Sequence, residues 1–406
     1  MNRNITALYL IKLSKWFSLV MPIIVLFFQE QKLGLEDIFI LKSVYSVAAV
    51  ALEIPSGYLA DVWGRKRCLV LGCILFFFGY LCYSFTGTFF AFLIAELLLG
   101  SGQTLVNGAD SALLYDTVKH YGHEEEYLKY EGRITMLGNF AEAFAGIFGG
   151  LLAAVSLRYP FYAQALVAFI GIPAACALQE FNFKGQVENP VAEIIRIIKY
   201  SLFTNRHLCC NIMFSGIIGA ATLMMAWFVQ PVLIYLNTPT SWFGIIWTVL
   251  NVVVGIAAFY SDRIERKLGM NKMNTLILLT IVGGYLTLAF NLTYFGLIIL
   301  FFFYIVRGLA TPILKGYINQ LTFSEMRATV LSIRNFIIRL MFAAAAPFVG
   351  WLNDICSLKI ALLTTGVIVF LPGILFLILS LKKDLFLYIC KAKLRKECNL
   401  LEMSVG

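Results

Sequence analysis

Apolar residues recur along this chain in runs of bilayer length, separated by short polar gaps. A helix needs about 20 apolar residues to cross a membrane. Twelve stretches reach that scale. In the first half they are roughly 6–29, 38–60, 68–86, 89–115, 133–155 and 159–179. In the second half they are roughly 208–236, 242–260, 273–290, 294–319, 328–352 and 359–381. The pattern predicts an all-α membrane protein of twelve transmembrane helices. Most connections are short, but Glu180 to His207 divides the chain near its middle. Within it, VAEIIRIIKYSLF at 191–203 sets apolar residues at helical spacing around Arg196 and Lys199. That is the pattern of an amphipathic helix lying on a membrane surface.

The expected organisation is an N-terminal six-helix half at 1–180 and a linker at 181–207. A C-terminal six-helix half at 208–381 and a basic tail at 382–406 follow. Composition agrees: the chain is 60% hydrophobic and 14% charged, where a soluble domain carries roughly 25% charged residues.

Charge adds orientation. With an even number of spans both termini share a side, and most Lys and Arg fall there: Arg3, Arg65 to Arg67, Lys119, Lys129, the linker cations, Arg263, Arg266, Lys267, Lys272, Arg327 and the tail. Lys32, Arg158 and Lys359 lie on the other side. The positive-inside rule then makes both termini cytoplasmic, in the cytoplasmic membrane. Topology accounts for the net charge of +9, which is therefore no argument for nucleic acid binding. The nine cysteines form no C-x-x-C pair and read as small apolar fillers. His120, His123 and Glu124 to Glu126 read as a solvated loop rather than a metal site. No Gly-rich phosphate loop is present, so neither ATP-driven transport nor a cofactor is expected. No nucleophile–base or metal-ligand set marks an enzyme.

The halves are related. An offset of 201 residues carries Asp61, Arg65 and Lys66 onto Asp262, Arg266 and Lys267, Arg133 onto Arg334, and Gln29 onto Gln230. AGIFGG at 145–150 falls on APFVGW at 346–351. One offset serving separate places argues for duplication into parallel repeats about an axis along the membrane normal.

GYLADVWGRKR, at 57–67, lies between the second and third spans. Its Gly57, Asp61, Gly64, Arg65, Lys66 and Arg67 resemble the signature loop of the major facilitator superfamily, and AFYSDRIERK at 258–267 resembles its degenerate second copy. The resemblance implies two pseudo-symmetric six-helix halves working by alternating access. It also implies that Asp61 faces the start of the eleventh span near Ala328, with Arg65 holding it. Such a contact is a latch for the outward-open state. Topology alone explains the basic residues but asks for neither Asp61 nor the glycines.

Charges inside spans are costly and usually face a cavity or a partner. Asp110 is the sharpest, deep in the fourth span with Gln103, Asn107 and Tyr115 close to one face. It is a candidate proton carrier or cation anchor, or a structural partner of Arg133 or Lys315. Glu142, among alanines and phenylalanines, also needs a cavity or a partner. Arg133 either ends a cytoplasmic loop or belongs to the site. Lys315 follows Pro312, which would disturb its helix and free backbone carbonyls. Arg334 has a better case than Arg339, being the repeat partner of Arg133. Trp227 and Gln230 share a span and are cavity candidates. Lys42, Glu53, Glu96 and Arg307 are further charges within the spans.

The opening loop favours a drug/proton antiporter. Two departures weaken that: ELLLGSG has Glu96 where such exporters carry arginine, and AGIFGG lacks their proline. A shorter likeness, around Tyr115, Arg133, Gly138, Phe140 and Gly149, is to the reduced folate and thiamine carriers. The expectation is a monomeric secondary transporter of a small organic solute, coupled to protons and working as an exporter. The alternatives are uptake of an organic-ion or vitamin-like solute, and a non-transporting sensor on the same fold.

Overall fold

The computed structural model describes residues 2–123, 126–181, 190–322 and 326–379. The tail at 382–406, linker residues 182–189, Glu124, Glu125 and the side chains of Gly57, Asp61, Lys129 and Ala328 lie outside the described residues.

Helices occupy every predicted span position. The first position holds two, α1 (Asn2–Trp16) and α2 (Ile24–Glu30). Then come α3 (Leu35–Val62), α4 (Arg65–Phe85), α5 (Phe89–His120), α6 (Tyr127–Val155) and α7 (Tyr159–Cys176). After the linker helix α8 (Pro190–Lys199) and a π-turn at Tyr200–Thr204 come α9 (Arg206–Tyr235), α10 (Thr240–Leu268) and α11 (Met270–Phe290). The series closes with α12 (Phe295–Gln320), α13 (Arg327–Ile355) and α14 (Leu358–Leu379). Among the described residues, nine helices are long and apolar enough to cross a membrane. Large side chains such as Phe90, Phe148, Phe259 and Phe302 stand exposed on the outer surface, as lipid-facing residues do.

The break in the first position was not legible as a run of apolar residues. Leu19 donates its backbone N–H to Gln164 of α7 at 2.8 Å, and its carbonyl lies against Gly149 of α6. Non-helical backbone at membrane depth is tolerated where protein satisfies it. Conversely, α12 runs unbroken through Pro312. A proline inside a span is tolerated where neighbours re-satisfy the backbone.

The halves meet along two seams, α3 on α13 and α6 on α10. Their tightest contacts lie at the end of the bundle opposite the chain termini, here the far end. Asp354 of α13 accepts from the backbone N–H of Leu35 at 3.0 Å and of Glu36 at 2.8 Å. Gln230 of α9 accepts from Val25 N–H and donates to the Met21 carbonyl, both at 2.8 Å. Gly244 of α10 sits against the Gly146 carbonyl and Gly150 of α6, an approach only glycine permits. Thr248 adds a bond to the Ala143 carbonyl at 2.9 Å. Toward the termini, α5 and α12 do not pack extensively on each other among the described residues, and a cavity lies between the halves.

The linker helix is docked. Ile197 is buried and clusters with Leu208, Ile212, Val330 and Ile333 of α9 and α13. Its apolar stripe therefore serves the second half as well as any membrane surface.

Candidate functional site

The cavity measures about 770 Å³. Helical spacing builds its walls. On α3, Lys42, Ser46, Ala49, Glu53 and Ser56 recur every three or four residues along one face. On α5 the same spacing presents Glu96, Leu99, Gln103 and Asn107. Across the cavity, α12 presents Arg307, Thr311 and Lys315, and α13 presents Arg334, Asn335, Ile338, Arg339 and Phe342. Trp227 of α9 and Tyr45, Tyr80 and Tyr83 supply aromatic surface.

Two charge clusters order the first half. Lys42 and Glu96 form a buried ion pair, and the Tyr83 hydroxyl donates to the same carboxylate. The pair is enclosed by rings: the Lys42 ammonium stands 4.9 Å from the Trp227 ring and 5.3 Å from the Phe28 ring, and Phe92 stacks on Tyr83 at 5.2 Å. Glu96 thus has a dedicated cation where an exporter motif would place arginine. One helical turn below Asn107, Asp110 is bound by Lys12 of α1 at 2.7 Å. Lys15 reaches Asn107.

The residues expected from sequence are distributed unevenly. Gln103, Asn107, Lys315, Arg334 and Trp227 line the cavity. Asp110 is buried beside it with Lys12 as partner, not Arg133 or Lys315. Glu142 stands outside the lining, within electrostatic reach of Arg307 on α12. Arg133 is exposed near the start of α6 and is not among the residues that line the cavity. Tyr115 is 40% exposed and packs edge-on against Tyr127 at 5.5 Å. Gln230 is part of the far-end seal rather than the cavity wall. Arg339 lines the cavity as fully as Arg334, with its guanidinium 5.8 Å from the Tyr45 ring. Five residues of separation do not divide two long arginines between opposite faces.

Of the loop residues, Gly64 adopts φ +109° before α4, a conformation that favours glycine. Arg65 pairs with Asp116 and donates to the Ala112 carbonyl at 2.9 Å, tying α4 to α5. The backbone N–H of Lys66 approaches Glu180 at 3.4 Å. In the second copy, Asp262 and Arg266 pair along α10 at 3.0 Å, both largely exposed.

Lys12, Lys15 and the Lys42–Glu96 pair are the residues that spacing did not assign to a site. The signal for the first two is a pair of lysines three apart inside an apolar run.

The sequence model of the Major Facilitator Superfamily matches residues 16–346, and the chain belongs to that family. It is a multi-pass membrane protein of the major facilitator type. Among solved structures it is similar to the nucleoside transporter NupG, with TM-score 0.78, 15% identity, and 93% and 98% of the two chains covered. It is also similar to the peptide transporter POT, with TM-score 0.70, 14% identity, and 94% of each chain covered. These likenesses establish the fold. Among curated proteins, quinolone resistance protein NorA of Staphylococcus aureus is 23% identical over 42% of this chain and 44% of its own. An MFS-type transporter of Methanocaldococcus jannaschii is 24% identical over 51% and 52%. An uncharacterized transporter of Buchnera aphidicola is 33% identical over 19% of each. The chain spans at most about half the length of these curated relatives.

Proposed function

We propose that the protein is a secondary active transporter that moves a small organic solute across the cytoplasmic membrane by alternating access, coupled to protons. The observation that carries this reading is the cavity between two halves that are held together at the far end while α5 and α12 pack little on each other toward the termini. With both termini cytoplasmic, as the Lys and Arg distribution implies, this is an inward-facing arrangement. The outward-facing state requires the far-end contacts to part and the ends near Asp61 and Ala328 to meet. Asp110 and Glu96 are the acids that bear on coupling: each is held by a lysine of another helix, and a proton arriving on either carboxylate would release that lysine. For direction, the antiporter-like loop and the likeness to a resistance protein support export.

Reconstituted protein in liposomes under an imposed pH gradient tests the reading. Solute flux that follows the gradient and reverses with it supports coupled transport. Flux indifferent to the gradient rejects the proton, and no flux of any solute leaves a sensor on this fold.

A further inference from the structure

The cavity carries an excess of one charge. Six basic side chains line it, Lys15, Lys42, Arg307, Lys315, Arg334 and Arg339, against two acids, Glu53 and Glu96. Glu96 is already engaged by Lys42 and Tyr83. Of the cations of the second half, Arg339 has Glu53 within electrostatic reach across the cavity, whereas Lys315 and Arg334 face no acid within the lining. Lys315 makes no hydrogen bond or ion pair among the described residues, and the charge that bears on it is Arg334, of the same sign. Arg334 is 5% exposed, and its two bonds go to neutral groups, Ser215 Oγ at 2.5 Å and Asn335 Oδ1 at 3.1 Å. Arg307 has the Glu142 charge on its outer side, yet its Nη1 is buried without a hydrogen-bond partner among the described residues.

Like charges gathered at membrane depth repel strongly, because little solvent screens them. Such a cluster is stable when an anion from solution completes it. A guanidinium matches a carboxylate or phosphate with two parallel bonds, and a neighbouring ammonium adds a point charge. The aromatic surface of the same half, Trp227 of α9 and Phe342 about two turns beyond Arg334 on α13, suits a flat apolar body.

We propose that the solute is an organic anion, its carboxylate or phosphate held by Arg334, Lys315 and Arg307 and its apolar body lying against Trp227 and Phe342. This rests on the transporter reading above and specifies its cargo. It also gives a physical ground for the uptake alternative, since an anion entering against an inside-negative potential needs accompanying protons.

The test uses purified full-length protein in detergent and four probes on one ring: phenylacetate, phenyl phosphate, phenylacetamide and phenethylamine. Thermal unfolding and intrinsic tryptophan fluorescence report binding. The two anions should stabilise the protein and compete with each other, while the amide and the amine do not. The stronger of the two anions distinguishes carboxylate from phosphate recognition. Lys315→Gln, at a half-buried position, should weaken anion binding about tenfold, the loss of one charge-assisted contact. Arg334→Gln should do the same, with Arg334→Lys recovering part of it. No response to either anion, an equal response to the amine or amide, or unchanged anion affinity in both glutamine variants would overturn the assignment. Amine transport by the reconstituted protein would reject an anionic cargo and leave the transporter reading standing. Anion binding in detergent without any flux would do the reverse.

Discussion

Asp354, next to the last residue of α13, caps the first turn of α3 in the opposite half, accepting from Leu35 N–H at 3.0 Å and Glu36 N–H at 2.8 Å. A carboxylate there satisfies orphan donors and meets the positive end of the helix dipole. The contact expected for Asp61, at the end of α3, against the start of α13, would lie at the other end of this same α3–α13 seam. The α3–α13 seam would thus carry one acid at each end, each favouring closure of its own end. Asp354→Ala removes two charge-assisted hydrogen bonds, about 1–3 kcal/mol. The ratio of far-end-closed to far-end-open protein should fall about tenfold. Spin labels on Lys32 and Asn237, one in each half at the far end, should move apart. An unchanged distance distribution would sink the idea.

Gly244 tests the second seam. Its Cα lies 3.0 Å from where a Cβ on Gly150 would stand, and a side chain of its own would run into the Gly146 carbonyl. Gly244→Val should leave the halves folded but hold the far end open, and flux should drop by at least about tenfold, a barrier change near 1.4 kcal/mol. Gly255→Ala serves as the control, since nothing stands within 4 Å of its Cβ position. Equal activity of the two variants would show that α6 and α10 need not approach this closely.

Asp110 and Lys12 join α5 to α1 at 2.7 Å. If a proton on Asp110 drives the cycle, Asp110→Asn should abolish the response of flux to an imposed pH gradient while leaving downhill exchange intact. Lys12→Met should impair both, because it leaves a carboxylate without its cation. Asp110→Asn that follows the pH gradient as the unaltered protein does would remove this carboxylate from coupling.

Run length and the 201-residue offset made the helices legible. α6 and α13 show how closely: Tyr127–Val155 shifted by that offset is 328–356, and α13 occupies Arg327–Ile355. Composition could not see the break at 17–23, because an apolar run records length and not continuity, and Gln164 and Gly149 that accommodate the break come from distant helices. The site was legible in its residue types and illegible in its pairings. Lys12 and Asp110 are 98 residues apart and Lys42 and Glu96 are 54 apart, separations that no local spacing rule reaches. Symmetry misled at one place. Arg133 and Arg334 occupy equivalent positions, yet one is exposed and the other buried against the cavity, and the other second-half cations, Arg307, Lys315 and Arg339, fall on Val106, Leu114 and Gly138.

The Lys42–Glu96 pair gives the sharpest separation of structure from transport. Lys42 and Glu96 are 7% and 1% exposed, and Phe28, Phe92 and Trp227 exclude water around them. Breaking such a pair leaves an uncompensated buried charge and costs about 3–5 kcal/mol, whereas replacing both partners with apolar groups is often neutral. Glu96→Gln alone should therefore lower the unfolding midpoint, and Lys42→Met alone should do so too. Lys42→Met with Glu96→Leu should recover the midpoint, with the Tyr83 hydroxyl then the one group left wanting an acceptor, and adding Tyr83→Phe should complete the recovery. A pair that only holds the fold together would leave the restored triple variant transporting normally. A pair that belongs to the transport cycle would leave it stable and inactive, with flux down at least about a hundredfold, near 2.7 kcal/mol. Thermal unfolding in detergent and flux in liposomes, measured on the same preparation, decide between them.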